Sequence, residues 1–82
     1  MLHVEVRIPA IAVDYEFSLN EHVKIALLIE EIAFIVAQKQ QKKWDRNYSE
    51  LILCDCSSQH MLPMEKSLYQ CKVKPGSTLM LL

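Results

Sequence analysis

The sequence has one glycine, Gly76, in 82 residues. That scarcity excludes the dinucleotide-binding turn and the P-loop, which both need several glycines so that backbone N–H groups can close on phosphate. It also lacks a surplus of either charge. Nine basic and ten acidic residues leave a net charge of −1, so bulk attraction to nucleic acid or to an anionic membrane is not expected. No apolar run is long enough to cross a bilayer. The greasiest stretch, Ile25 to Ala37, is interrupted by Glu30 and Glu31, whereas a span needs about 20 apolar residues. The opening Met1-Leu2-His3-Val4-Glu5 has no basic region followed by an apolar one. The expectation is therefore no secretory signal and a cytoplasmic location. Three cysteines cannot all pair within the chain, and reduced thiols are the simplest account.

What is present is enough to fold. Hydrophobic residues make up 51% and charged residues 23%, a balance that supports a packed core in a single domain over residues 1–82. Leu2, Val4, Val6 and Ile8 alternate with His3, Glu5 and Arg7, the period of a half-buried strand, which Pro9 ends. Val13, Tyr15, Phe17 and Leu19 alternate with Asp14, Glu16 and Ser18. The short link between the two strands predicts an antiparallel hairpin. Ser18 with Glu21 has capping-box spacing and Asn20 is a rival N-cap, so a helix is predicted to start near residues 19–22. From Val23 to about Gln40 there is no Gly or Pro, and Lys39, Lys42 and Lys43 suit the negative end of the helix dipole. Residues 44–49 read as loop. Glu50 to Cys54 reads as a third strand, His60 to Leu62 as a short fourth closed by Pro63, and Thr78 to Leu82 as a fifth. Between the last two lies an irregular segment, Glu65 to Lys74, with one helical turn after Ser67. The order β-β-α-β-β-β is an α+β pattern with one helix covering one face of a sheet.

That order resembles the β-grasp fold of ubiquitin. The likeness is most specific in Ser67-Leu68, then Val73, then Gly76-Ser77-Thr78-Leu79-Met80-Leu81, which resembles the ubiquitin-like closing segment, where a leucine and a later aliphatic residue plug the core. The whole chain further resembles the bacterial YukD/EsaB family of ubiquitin-like proteins associated with type VII (WXG100) secretion. Its length, the helix start His22-Val23-Lys24, Trp44 after the helix and the ending PGSTLMLL carry that likeness. The resemblance implies a ubiquitin-like mixed β-sheet with one α-helix packed on one face, and strands three and five side by side. Ubiquitin and the sulfur-carrier β-grasp proteins use a Gly-Gly tail. No glycine follows Gly76 here, so conjugation and sulfur transfer are not expected.

Two apolar surfaces stand out. At about 100° per residue, Ile25, Leu28, Ile29, Ile32 and Val36 form a stripe that should cover the sheet. They would pack on Val4, Val6, Tyr15, Phe17, Leu51, Leu53, Leu79 and Leu81. Val23, Leu27 and Phe34 form a second stripe. Either residues 41–49 or 64–74 fold over it, or it is an interface. If Leu51, Leu53, Leu79 and Leu81 point inward, alternation turns Ile52, Cys54, Met80 and Leu82 outward. With strands three and five adjacent, Ile52, Met80 and Leu82 form one patch, with Ile11 at the hairpin tip nearby. In ubiquitin the matching face is the one that partners read.

Residue chemistry offers little else. Cys54, Cys56, His60 and Cys71 are zinc-type ligands, but Cys-x-Cys on a straight strand is not the Cys-x2-Cys knuckle of a zinc site. Three buried or half-exposed thiols are the alternative. Cys54 or Cys56 as a nucleophile lacks an orienting acid near His60 in sequence, and the sequence leaves spatial partners open. Lys39, Lys42, Lys43 and Arg46 with Trp44 and Tyr48 could hold a single strand of nucleic acid; helix-end capping and a tryptophan packed over the core edge are the favoured account, since the remaining surface is balanced in charge. The expectation is a protein that is not an enzyme, uses no cofactor or metal, does not bind nucleic acid and does not insert in a membrane. Its partner is a protein component of a secretion machine, or a second copy as a homodimer. The alternative is a carrier or small-subunit β-grasp protein of an enzyme system, such as an oxygenase.

Overall fold

A computed structural model describes residues 1–44 and 47–82. Strands β1 (Leu2–Ile8) and β2 (Val13–Leu19) form the antiparallel hairpin that their alternation predicts, in register from Leu2↔Leu19 to Ile8↔Val13. Pro9 opens a short 3-10 turn, Pro9–Ile11. Ala12 closes it in the left-handed region at φ 54, its N–H donating to the Pro9 carbonyl at 3.2 Å. Among the described residues the remaining strands are β3 (Leu53–Asp55), β4 (His60–Met61) and β5 (Thr78–Leu81), and the one α-helix is α1 (Ile25–Gln40). The sheet order is β2-β1-β5-β3-β4. The strand last in sequence therefore lies in the middle, parallel to β1 and antiparallel to β3. This is the mixed α+β sheet that the resemblance implies.

The core lies between α1 and the inner sheet face. Ile25, Leu28, Ile29, Ile32 and Val36 are buried against Val4, Val6, Phe17, Leu51, Leu53, Leu79 and Leu81. Tyr15 is only half-buried, since its hydroxyl accepts a 2.7 Å bond from Gln40 Nε2 at the edge of the core. Leu68 and Val73 close the core from the segment before β5. The helical turn expected after Ser67 is present. Ser67 Oγ accepts from the Gln70 N–H at 3.1 Å, and Gln70 Oε1 accepts from the Ser67 N–H at 3.0 Å, the reciprocal bonding of a capping box.

The helix starts later than its local cap signals predict. Asn20 Oδ1 accepts from the His22 N–H at 3.0 Å and so closes a turn ahead of the helix. Ser18 sits on the outer sheet face beside His3. The N-cap position is Lys24, with no side-chain cap. The reason is tertiary: the first free amides, Ile25 N–H and Ala26 N–H, donate to the carbonyls of Lys66 and Met64 at 2.8 and 3.0 Å. A terminus whose donors are taken by backbone elsewhere needs no side-chain cap. Val23 thus precedes the helix and is half-buried against the core, which corrects its place in the second helical stripe.

The other strand boundaries moved for similar reasons. Tyr48–Glu50 form a 3-10 turn, so β3 is registered later than Glu50–Cys54. Ile52 and Leu82 still exchange N–H···O bonds of 3.0 and 2.8 Å beyond the strand ends. Leu62 likewise donates to Leu53 at 2.8 Å just past β4.

At the other end of the helix, Gln41 adopts φ 56, and the Lys42 N–H reaches back to the Ala37 carbonyl at 3.1 Å. This closure normally carries glycine, because a Cβ is strained in the left-handed region. Gln41→Gly is therefore expected to raise stability by about 0.5–1 kcal/mol, read as a higher urea midpoint at constant slope. An unchanged or lower midpoint would show that the Gln41 side chain contributes as much as its backbone strain removes.

Candidate protein-binding surfaces

The outer sheet face divides in two. On β1 and β2 it is polar: Arg7 faces Asp14, His3 faces Ser18, and Glu5 stands directly opposite Glu16. Arg7 Nε lies 3.4 Å from Glu5 Oε1. This contact offsets part of the repulsion that two facing carboxylates create. Over β5, β3 and β4 the same face is apolar. Cys54 pairs with Met80 on one side and with Met61 on the other, and Ile52 lies level with Leu82.

The structure thus brings Ile52, Met80 and Leu82 together, as expected from the strand alternation. Ile52 and Met80 are half-buried, while Leu82 is 43% exposed. Met61, outside the patch expected from the sequence, extends the strip to the β4 edge and is 61% exposed. The signal was present: in His60-Met61-Leu62, a buried Leu62 turns Met61 outward. Ile11 is 40% exposed in the hairpin tip. Because Met80 is level with Arg7 and β5 runs parallel to β1, Leu82 comes level with Pro9, at the sheet end that carries this tip.

The helix surface is separate, on the far side of the core. Leu27 and Phe34 are 55% and 56% exposed. The described part of residues 41–49 leaves them exposed: Trp44 lies beside Phe34 but turns its ring onto the helix flank. Its indole N–H donates to the Ala33 carbonyl at 2.7 Å, and the ring packs over the flank of the helix. Ala33, outside the predicted core stripe, is also buried, four residues after Ile29 and three before Val36 on the core side of the helix. The segment 64–74 packs on the helix start instead. Between Phe34 and the chain after the helix runs an open groove of about 600 Å³, walled by Ala37, Gln41, Trp44 and Tyr48.

The other candidate clusters are dispersed. Cys54, Cys56 and Cys71 are free and half-buried. Cys56 lies in the turn after β3, its N–H donating to the Thr78 carbonyl at 3.0 Å. Among the described residues no three His, Cys, Asp or Glu side chains converge as a metal site. In the basic group, Trp44 is engaged with the helix and Lys39 Nζ lies 5.5 Å over the Tyr15 ring, a cation–π contact. Lys42 and Lys43 are exposed, and Arg46 lies outside the described residues. No helix among the described residues is long and apolar enough to cross a membrane.

No family model and no curated protein match the sequence. Solved structures do match in fold. One is the ubiquitin-like domain of an Arabidopsis thaliana protein, at TM-score 0.73 and 13% identity, covering 99% of this chain and 74% of that one. A second protein's N-terminal ubiquitin-like domain matches at TM-score 0.72 and 21% identity, over 99% of this chain and 72% of that one. A chain of the toluene 4-monooxygenase HD complex matches at TM-score 0.79 and 8% identity, over 98% of this chain and 94% of that one. At such identities the likeness is one of fold, and the fold is the ubiquitin-like β-grasp.

Proposed function

We propose that this is a non-enzymatic ubiquitin-like interaction module that docks a protein partner on the outer sheet face. The observation that carries this reading is the continuous apolar strip of Ile52, Met80 and Leu82, extended by Met61, on a sheet whose other half is charged. Clustered apolar groups with a polar surround are the usual anatomy of a contact site. The residue-level resemblance to YukD/EsaB supports the finer reading: a cytoplasmic accessory of type VII secretion, whose partner is a component of the secretion machine.

The test is a binding titration against the purified cytoplasmic domain of a type VII membrane ATPase. Ile52→Asp is expected to keep the helical and sheet circular dichroism and to weaken binding at least about thirtyfold. Leu82→Asp, at a more exposed position, is the second variant. Unchanged binding in both would remove the sheet face from the reading. Binding absent even in the unaltered chain would remove the secretion machine's ATPase as the partner.

The likeness to the monooxygenase chain, which covers nearly all of both chains, favours a second reading as a small non-catalytic subunit of an enzyme complex. Stoichiometric co-purification with a larger enzyme subunit would carry it.

A further inference from the structure

The exposed face of α1 carries apolar groups together with charges of both signs. Leu27 and Phe34 are seven residues apart, with Glu30 and Glu31 between them. Seven residues make about two turns, so both apolar side chains point the same way. On the other side of Phe34 the face meets the groove walled by Ala37, Gln41, Trp44 and Tyr48, whose rim carries Lys42 and Lys43. Charge therefore changes sign along the helix, from two carboxylates before Phe34 to two ammonium groups after it. Among the described residues the ion pairs are Arg7–Glu5 and Lys24–Glu65, and neither uses these four groups.

We propose that this face binds a second copy of the chain, helix antiparallel to helix, with each Phe34 entering the partner's groove. With a rise of about 1.5 Å per residue, the middle of the groove lies roughly 8 Å beyond Phe34 along the axis. A two-fold axis placed halfway carries Glu30 and Glu31 to a level roughly 12–14 Å beyond Phe34. Lys42 and Lys43, which follow the left-handed Gln41 just past the helix end, are the nearest cations to that level. One rotation thus seats both aromatic rings and pairs both sets of charges. A uniformly acidic or basic partner would meet one half of the face and be repelled by the other, and a parallel pairing would set like charges together. The same patch serving both subunits is the signature of a two-fold dimer.

Sedimentation equilibrium at low salt is expected to show a dimer that weakens as salt rises. Phe34→Asp should raise the dimer dissociation constant at least about thirtyfold without lowering the unfolding midpoint. The sharper test reverses charge. Glu30→Lys/Glu31→Lys should be monomeric, as should Lys42→Glu/Lys43→Glu, but an equimolar mixture of the two should dimerise. The proposal is overturned by an unaltered chain that stays monomeric at the highest concentration reached, by a dimer that Phe34→Asp leaves intact, or by a mixture that remains monomeric. The sheet-face variants Ile52→Asp and Leu82→Asp should leave the dimer unchanged, so its failure and that of partner docking are read separately.

Discussion

Leu79→Ala is expected to lower the free energy of unfolding by about 2–5 kcal/mol. Leu79 is completely buried on β5, the middle strand, in register with Val6 of β1 on one side and Asp55 of β3 on the other. Both flanking strands are held by their own ladders, and α1 lies across the inner face. The space left by three missing carbons therefore cannot close by a shift of any one element, which places the loss in the upper part of that range. A domain of this size has only about 5–10 kcal/mol in total, so the variant should sit close to its own unfolding transition at physiological temperature. Urea denaturation checks it: the midpoint should fall steeply while the slope stays constant, because the surface exposed on unfolding hardly changes. Met80→Ala is the internal comparison. Met80 is the adjacent residue on the same strand, faces outward and is half-buried, so its truncation should remove about 1 kcal/mol or less. Equal losses at the two positions would mean that the inward and outward faces of β5 are not distinguished as described.

Period and punctuation carried most of the fold. The alternation in Leu2–Ile8 and Val13–Leu19 located both hairpin strands to the residue, because one face of each is buried and the other wet. The helical core stripe was legible for the same reason. The order of strands was not, since nothing in a local pattern says that residues 78–81 insert between β1 and β3. It came from the likeness of residues 67–81 to a ubiquitin-like closing segment.

The helix start is not legible locally, because two good caps lie upstream while the donors are satisfied by Met64 and Lys66, about forty residues away. For the candidate surfaces, the inward-outward parity of Ile52, Met80 and Leu82 was readable, and their adjacency followed once β3 and β5 were neighbours. The exposure of Leu27 and Phe34 was readable as a second stripe. The groove beside Phe34 was not, because it exists only where Trp44 folds back onto Ala33, eleven residues earlier in the chain.

The segment between β4 and β5 supplies the second large effect. It contains no strand and no long helix, yet it finishes the body of the protein. Leu68 is completely buried and Val73 nearly so. Ser67 bridges to Lys24, and the carbonyls of Met64 and Lys66 receive the first amides of α1. The Leu68 side chain is the apolar anchor of an arrangement whose polar product is a capped helix start. Leu68→Ala is expected to lose about 2–5 kcal/mol, and the loss should not be uniform across the molecule. Where a loop can relax, part of the cavity closes, but here relaxation pulls the two carbonyls away from Ile25 and Ala26 and leaves their N–H groups to water. Native-state hydrogen exchange should therefore show Ile25 and Ala26 losing more protection than Ile32 and Val36 in the middle of the same helix. Leu68→Met, which keeps the volume, should retain that protection with a loss below about 1.5 kcal/mol. If Leu68→Ala lowers protection equally along α1, the anchor acts on global stability alone, and the coupling between the closing segment and the helix start is absent.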